Sequence, residues 1–257
     1  MNADEQKQVR DAAVAGLDQA IKTWGKVRQV MLENFGMESR GIPVMDSATA
    51  SNIPGHPFVD YGKPEATEFV AMVVDMRNST DRLQNLQRFD GIEDGFQRVY
   101  YETSALLPAL ATTALFKGGH VTEYLGDGAL ILFKVDTDDR GQTVKDAYRA
   151  ASNCVTLTRD IVNELLSNRF RLPALSIGAG LSMSHAIVTL VGTRDFMQAK
   201  AIGTCVWEAT KLSSGVNVVH VSQKMRDGWP TGKGGTISFS KLNNLPPKLT
   251  GFSVSER

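Results

Sequence analysis

One run constrains this chain more than any other: Phe69 to Val74 is unbroken apolar sequence closed by Asp75. A strand with one wet face alternates apolar and polar residues, so a continuous run predicts a strand covered on both faces. The chain must then fold in layers, with material above and below a sheet. Asp75 closes that strand where side chains and loop amides meet solvent, and Met76 to Thr80 reads as a short polar turn into a helix. Backbone N–H groups at a helix start cradle phosphate; a helix cap is the other use of such an aspartate.

A second carboxylate sits in EYLGDGALILF, where Gly-Asp-Gly joins two short apolar strands and puts Asp127 at a hairpin tip. Turn chemistry alone explains an aspartate there. The flanking strands belong in a sheet, however, and a hairpin lying beside the first strand brings Asp75 and Asp127 to one point. Paired carboxylates, with waters and substrate phosphates, are the usual holders of Mg²⁺ or Mn²⁺. Two such ions activate a 3′-hydroxyl and stabilise charge on a leaving pyrophosphate.

Around these motifs the pattern reads strand, helix, hairpin, helix, strands, helix, strand. That order predicts an α/β (α+β) sandwich with a mixed or antiparallel sheet. Asp81 to Ala114 reads as helical with a break at Pro108, Thr143 to Ser167 as a long helix, and ALSIGAGLSMSHAIVTLVG as a strand pair. Gly203 to Ser214 is helical, while VNVVHVS and GTISFS are strands. From Asp4 to Phe35 a helix carries Leu17, Ile21, Trp24, Met31 and Phe35 near one face, interrupted by Arg28. Such a face packs on its own domain or against a second copy. The stretch from Gly41 to Ala66 is rich in proline, glycine and small polar residues and reads as a linker or surface extension. The expected division is 1–62 for the helix and linker and 63–257 for the main domain.

Charge narrows the function classes. Lys plus Arg and Asp plus Glu are both 28, so no bulk field favours nucleic acid or an acidic membrane. The polar start is no secretory signal, and the longest apolar runs fall far short of a membrane span, which predicts a cytoplasmic protein. Cys154 and Cys205 lack C-x-x-C spacing and read as buried free thiols; the scattered histidines show no zinc spacing.

VVDMRNST, EYLGDGALILF and KAIGTCVWEATKL together resemble the class III nucleotidyl cyclases, in order and spacing, over roughly Glu68 to Val221. The resemblance implies a ferredoxin-like βαββαβ catalytic domain with the N-terminal helix as an extension. It implies Asp75 and Asp127 as ligands of two Mn²⁺ or Mg²⁺ ions, helped by the Met76 carbonyl. The amides of Asn78, Ser79 and Thr80 would hold phosphates. The base-contacting position four residues before the hairpin aspartate is commonly Lys in adenylate and Glu in guanylate cyclases; here it is Glu123. A second base-reading position falls near Gln198.

Where the family places an Asn for the ribose and, one turn later, an Arg for the transition state, this chain has Trp207 and Lys211. Lys keeps the charge but loses the forked geometry. Trp207 either lines the pocket or is a core residue. These departures, with VVDMRNST and the N-terminal helix, are similar to the bacterial pyrimidine cyclases of the Pycsar antiphage systems. That implies a homodimer with active sites at the interface, the aspartates from one subunit and Glu123, Gln198 and Lys211 from the other. The substrate is then a nucleoside triphosphate, with UTP expected over CTP or GTP because a carboxylate beside an amide suits a base donor flanked by carbonyls. A degenerate nucleotide-binding signalling module is the alternative from another class. A diguanylate cyclase or polymerase relative ranks behind it.

Overall fold

The computed structural model describes residues 1–33, 48–85, 87–193, 196–230 and 235–256. Phe35 and the start of the expected linker lie outside them. The long helix α1 (Ala3–Glu33) is followed by a hairpin of β1 (Ala48–Ile53) and β2 (His56–Asp60), then β3 (Glu65–Met76). Next come α2 (Ser79–Gln84), α3 (Gly95–Leu115), β4 (His120–Tyr124) and β5 (Gly128–Lys134). A nearly continuous helix follows, built of α4 (Arg140–Asn153), a π turn (Cys154–Thr158) and α5 (Arg159–Phe170). The chain closes with β6 (Ile177–Thr193), β7 (Phe196–Gly203), α6 (Thr204–Leu212), β8 (Val219–Ser222), α7 (Gln223–Asp227), β9 (Ile237–Lys241) and β10 (Gly251–Glu256).

The main sheet runs β4-β5-β3-β6-β8-β10-β9, with β7 pairing the outer part of β6. Among the described residues, only the β6–β8 pair is parallel. β3 is central, as its apolar run requires, and its side chains divide between two cores. Val70, Met72, Val74 and Met76 face the larger core with α3, α4 and α5. Phe69, Ala71 and Val73 face a smaller core closed by α6 and by Ile53 and Val59 of the β1–β2 hairpin. The sandwich expected from the sequence is the observed architecture.

Helix α1 packs on α3 through Val9, Ala13, Leu17, Ala20 and Trp24, all buried. Each large apolar side chain so covered contributes about 1.5–3 kcal/mol. Of the expected apolar face, Leu17 and Trp24 are buried, whereas Ile21 is exposed, because the contact stripe passes through Ala20 instead. The helices approach closely at Gly16, where a Cβ would fall 2.0 Å from the Ser104 carbonyl oxygen. That carbonyl is the one Pro108 cannot serve, since proline carries no N–H. Helix α3 is continuous across Pro108, and Gly16 of α1 packs against that free carbonyl and the proline ring.

Four expectations change. The expected linker contains the β1–β2 hairpin, its turn made by Gly55 at φ 86°. The expected strand pair after Ala174 is a single 17-residue strand, β6, whose outward half finds its partner in β7 rather than in itself. The helix expected over Asp81 to Ala114 is two, α2 and α3. The helix from Thr143 is interrupted by the π turn, where Thr158 meets Thr113 at 2.6 Å between hydroxyls. Among the described residues, no helix is long and apolar enough to cross a membrane.

Candidate active site

Asp75 is the penultimate residue of β3 and pairs in register with Gly128, the first residue of β5. The hairpin turn ahead of Gly128 carries Asp127, whose carbonyl accepts the Met76 N–H at 3.3 Å. Close approach dictates glycine at 128: a Cβ there would lie 2.6 Å from the Val74 carbonyl oxygen and 2.9 Å from Asp75 Oδ1. Gly126, at φ 75°, supplies the left-handed turn residue. The two aspartates are thus held together by sheet register and turn chemistry.

The proximity has an electrostatic consequence. Burial raises the Asp75 pKa above the ordinary carboxylate range, and the Asp127 charge raises it further; Arg77 pulls the other way. The Arg77 guanidinium bonds the Asp75 carboxylate and also reaches its carbonyl at 3.4 Å. Two carboxylates against one guanidinium leave a net negative, oxygen-rich point suited to a hard divalent cation. Among the described residues, no group of three or more His, Cys, Asp or Glu side chains is placed to hold a metal ion. Any ion here would complete its shell from backbone, water or phosphate oxygens.

Directly after β3, Asn78 takes the left-handed conformation at φ 58° and caps α2 without a side-chain bond. Ser79 and Thr80 open that helix, and first-turn amides have no intrahelical acceptor. The expected phosphate turn therefore lies beside the aspartates, with Ser79 half-buried and Asn78 and Thr80 exposed. Helix α2 is tied down from below. Arg82 donates to Glu102 at 2.8 Å and to the Ala174 carbonyl at 2.7 Å, and Arg98 donates to the same fully buried Glu102 at 3.0 Å.

Glu123 and Gln198 share a cavity of about 460 Å³, lined by β1, β4 and β7. The ion-pair partner of Glu123 is Lys200, with Nζ 2.6 Å from Oε2 and both side chains half-buried. Neither Asp75 nor Asp127 lines this cavity.

No protein-family model matches the sequence, and no curated protein matches it. Solved structures do. The guanylyl cyclase Cya2 aligns with TM-score 0.60 at 16% identity, over 75% of this chain and 93% of that one. The adenylyl cyclase CyaB from P. aeruginosa aligns with TM-score 0.62 at 15% identity, over 76% and 97%. The guanylate cyclase domain of RhGC from Catenaria anguillulae, solved with GTP, aligns with TM-score 0.55 at 16% identity, over 76% and 100%. This chain has the class III cyclase fold.

Within that cyclase fold, α6 carries Trp207 and Lys211 one turn apart, both exposed. Trp207 is 47% exposed, which removes the reading as a core tryptophan. The same helix sends Glu208 inward, where the fully buried Ser182 hydroxyl donates to it at 2.5 Å. Two residues escaped the sequence reading. Arg77 stands two positions after Asp75, and in extended chain that spacing shares a face. Lys200 stands two positions after Gln198 on β7, again the same face, but its meeting with Glu123 depends on where β7 lies against β4. The cysteines are as expected: Cys154 and Cys205 are both buried and free.

Proposed function

We propose that the protein is a metal-dependent nucleotide cyclase that converts a pyrimidine nucleoside triphosphate, UTP, to its 3′,5′-cyclic monophosphate and pyrophosphate. The observation that carries this reading is the juxtaposition of Asp75 and Asp127 beside the Asn78–Thr80 turn. The donor set fits a divalent cation: two neighbouring carboxylates are offset by the one Arg77 guanidinium, and the Asp75 pKa is raised by burial first and by the Asp127 charge second. Asp75, Asp127 and the Met76 carbonyl would hold Mn²⁺ or Mg²⁺. The ions supply Lewis-acid activation of the ribose 3′-hydroxyl and charge neutralisation on the leaving group.

The chain's own residues do the positioning. The Ser79 and Thr80 amides bind phosphate oxygens at the positive end of α2. The 3′-oxygen loses its proton and bonds the α-phosphorus, the bond to pyrophosphate breaks, and Lys211 offsets charge building on the phosphoryl oxygens. Trp207 stacks on or narrows the nucleoside site.

The base follows from hydrogen-bond chemistry. Glu123 accepts only, Lys200 donates only, and the Gln198 amide donates beside them. One acceptor with two donors complements a uracil edge, in which N3–H lies between two carbonyls. Because the aspartates and the base pocket do not share a cavity, we read the working enzyme as a homodimer whose two active sites each combine both halves. Exposed Ile187, Val191, Phe196, Ile202 and Trp207, on the β6–β7 arm and α6, support an apolar contact between copies. A cyclic pyrimidine nucleotide made this way would serve as a second messenger in antiphage defence.

The test is incubation with Mn²⁺ and each of the four ribonucleoside triphosphates, with products identified by chromatography and mass. A single cyclic product from UTP, absent in Asp75→Ala and Asp127→Ala, supports the proposal. Preference for GTP or CTP overturns the base assignment. Nucleotide binding without metal-dependent turnover assigns a signalling module instead.

A further inference from the structure

The matched cyclase domains are covered over 93–100% of their length by about three quarters of this chain, which leaves roughly a quarter without counterpart in them. The segment before β3 is of that size, and its hairpin lies on the cavity that holds Glu123 and Gln198. Among the described residues, β1 shares no backbone ladder with β4 or β7 and pairs with β2 alone. Its residues Thr49 to Ile53 nonetheless form one wall of the cavity whose other walls carry Glu123 and Lys200.

The hairpin is fixed in place. Ile53 and Val59 are buried in the smaller core. His56, 7% exposed, meets the Thr67 hydroxyl at 2.8 Å on β3 and packs its ring near Phe69. The ladder between β1 and β2 breaks between Ala50 and Ile53, so Ser51 and Asn52 bulge from the pairing at the cavity wall. Bulges of this kind re-aim side chains next to binding sites. The Ser51 hydroxyl is committed locally, accepting the Ile53 N–H at 3.0 Å. Asn52 is exposed and, among the described residues, its carboxamide makes no hydrogen bond.

We infer that the β1–β2 hairpin is a specificity element, and that the Asn52 carboxamide donates a second hydrogen bond to a base carbonyl, beside the contacts of Glu123, Gln198 and Lys200. This rests on the reading of the cavity as the nucleobase site. A carbonyl oxygen has two lone pairs, so the Asn52 N–H can share one that Lys200 or Gln198 already serves. A site built to hydrogen-bond a substrate discriminates strongly against analogues that leave its polar groups unpaired.

The experiment compares wild type, Asn52→Ala and Asn52→Asp, with Phe58→Ala as control on the exposed side of β2 outside the cavity. Values of kcat/KM for UTP and CTP are measured with Mn²⁺, and UTP affinity by calorimetry. Expected is a loss of about tenfold for UTP in Asn52→Ala, the size of one hydrogen bond, with a changed UTP-to-CTP ratio and no change in Phe58→Ala. An unchanged ratio and unchanged UTP affinity in both Asn52 variants overturns the hairpin's role while leaving the cyclase reading intact. If wild type binds UTP without turnover, the cyclase reading falls and weaker binding by Asn52→Ala still upholds the hairpin. Absence of nucleotide binding overturns both.

Discussion

Lys200 of β7 reaches Glu123 of β4 across a cavity that neither strand could form alone, with 2.6 Å between Nζ and Oε2. The pair sets one obligate donor against one obligate acceptor, and on the proposed function it would read the base with a defined sign.

Reversing half of that device should reverse its preference. Glu123→Lys removes the only carboxylate lining the cavity among the described residues and leaves two ammonium groups side by side, so turnover of UTP should fall by about a hundredfold or more. Lys200→Ala should lose less, about tenfold, because Gln198 still donates. Initial rates with all four triphosphates check both, and an unaltered substrate ranking in Glu123→Lys would remove Glu123 from base recognition.

Asp75 should make the protein less stable as pH rises. Its folded pKa is raised, so the unfolded chain gives up this proton first; between the ordinary carboxylate range and the folded value, the folded state holds more protons and stability falls with pH. Above that window Asp75→Asn should melt higher than wild type in metal-free buffer. Adding Mn²⁺ should raise the wild-type melting temperature and leave Asp75→Asn nearly unmoved, since only the former binds the ion. Arg77→Ala removes the one cation that opposes the shift, so the acid limb of the activity profile should move to higher pH. A melting curve of Asp75→Asn below wild type at neutral pH would contradict this account.

Glu102 should be among the costliest positions outside the site. It is fully buried and serves both Arg98, itself 4% exposed, and Arg82 of α2. Glu102→Ala strands two guanidinium groups, a loss of about 3–5 kcal/mol by urea titration. Glu102→Gln keeps the shape but not the charge and should cost less. Because Arg82 holds α2 under the Asn78–Thr80 turn, to which the proposed function assigns the phosphates, the glutamine variant should also raise KM for the triphosphate.

The cysteines should be silent to thiol reagents until the chain opens. Burial pushes the Cys154 thiol up to about 12 and raises Cys205 as well. At pH 8 the reactive thiolate of Cys154 is then about one part in ten thousand. Titration with an aromatic disulfide should find no rapid thiol in the native protein and two in denaturant. A fast-reacting thiol in the folded state would show that one of these cores opens.

How much of this was legible beforehand follows from the range of the forces involved. The strand ending in Asp75 and the tip carrying Asp127 are local patterns: an apolar run needs cover on both faces, and Gly-Asp-Gly needs a turn. Their convergence was a conditional in the sequence, and the antiparallel pairing of Asp75 with Gly128 decided it. Trp207 illustrates the converse, for an isolated tryptophan at helical spacing is compatible with a core or a surface, and only packing of α6 on β6 left it outward.

The sequence by itself determined the layered sandwich, the two carboxylates and the turn after β3, because side-chain period and turn chemistry act within a few residues. Tertiary structure alone decided that Lys200 faces Glu123, that β6 runs as one strand with β7 as its outer partner, and that a proline- and glycine-rich segment forms a wall of the cavity. Those outcomes depend on register and burial between segments tens of residues apart, where one step of slip turns every side chain to the other face.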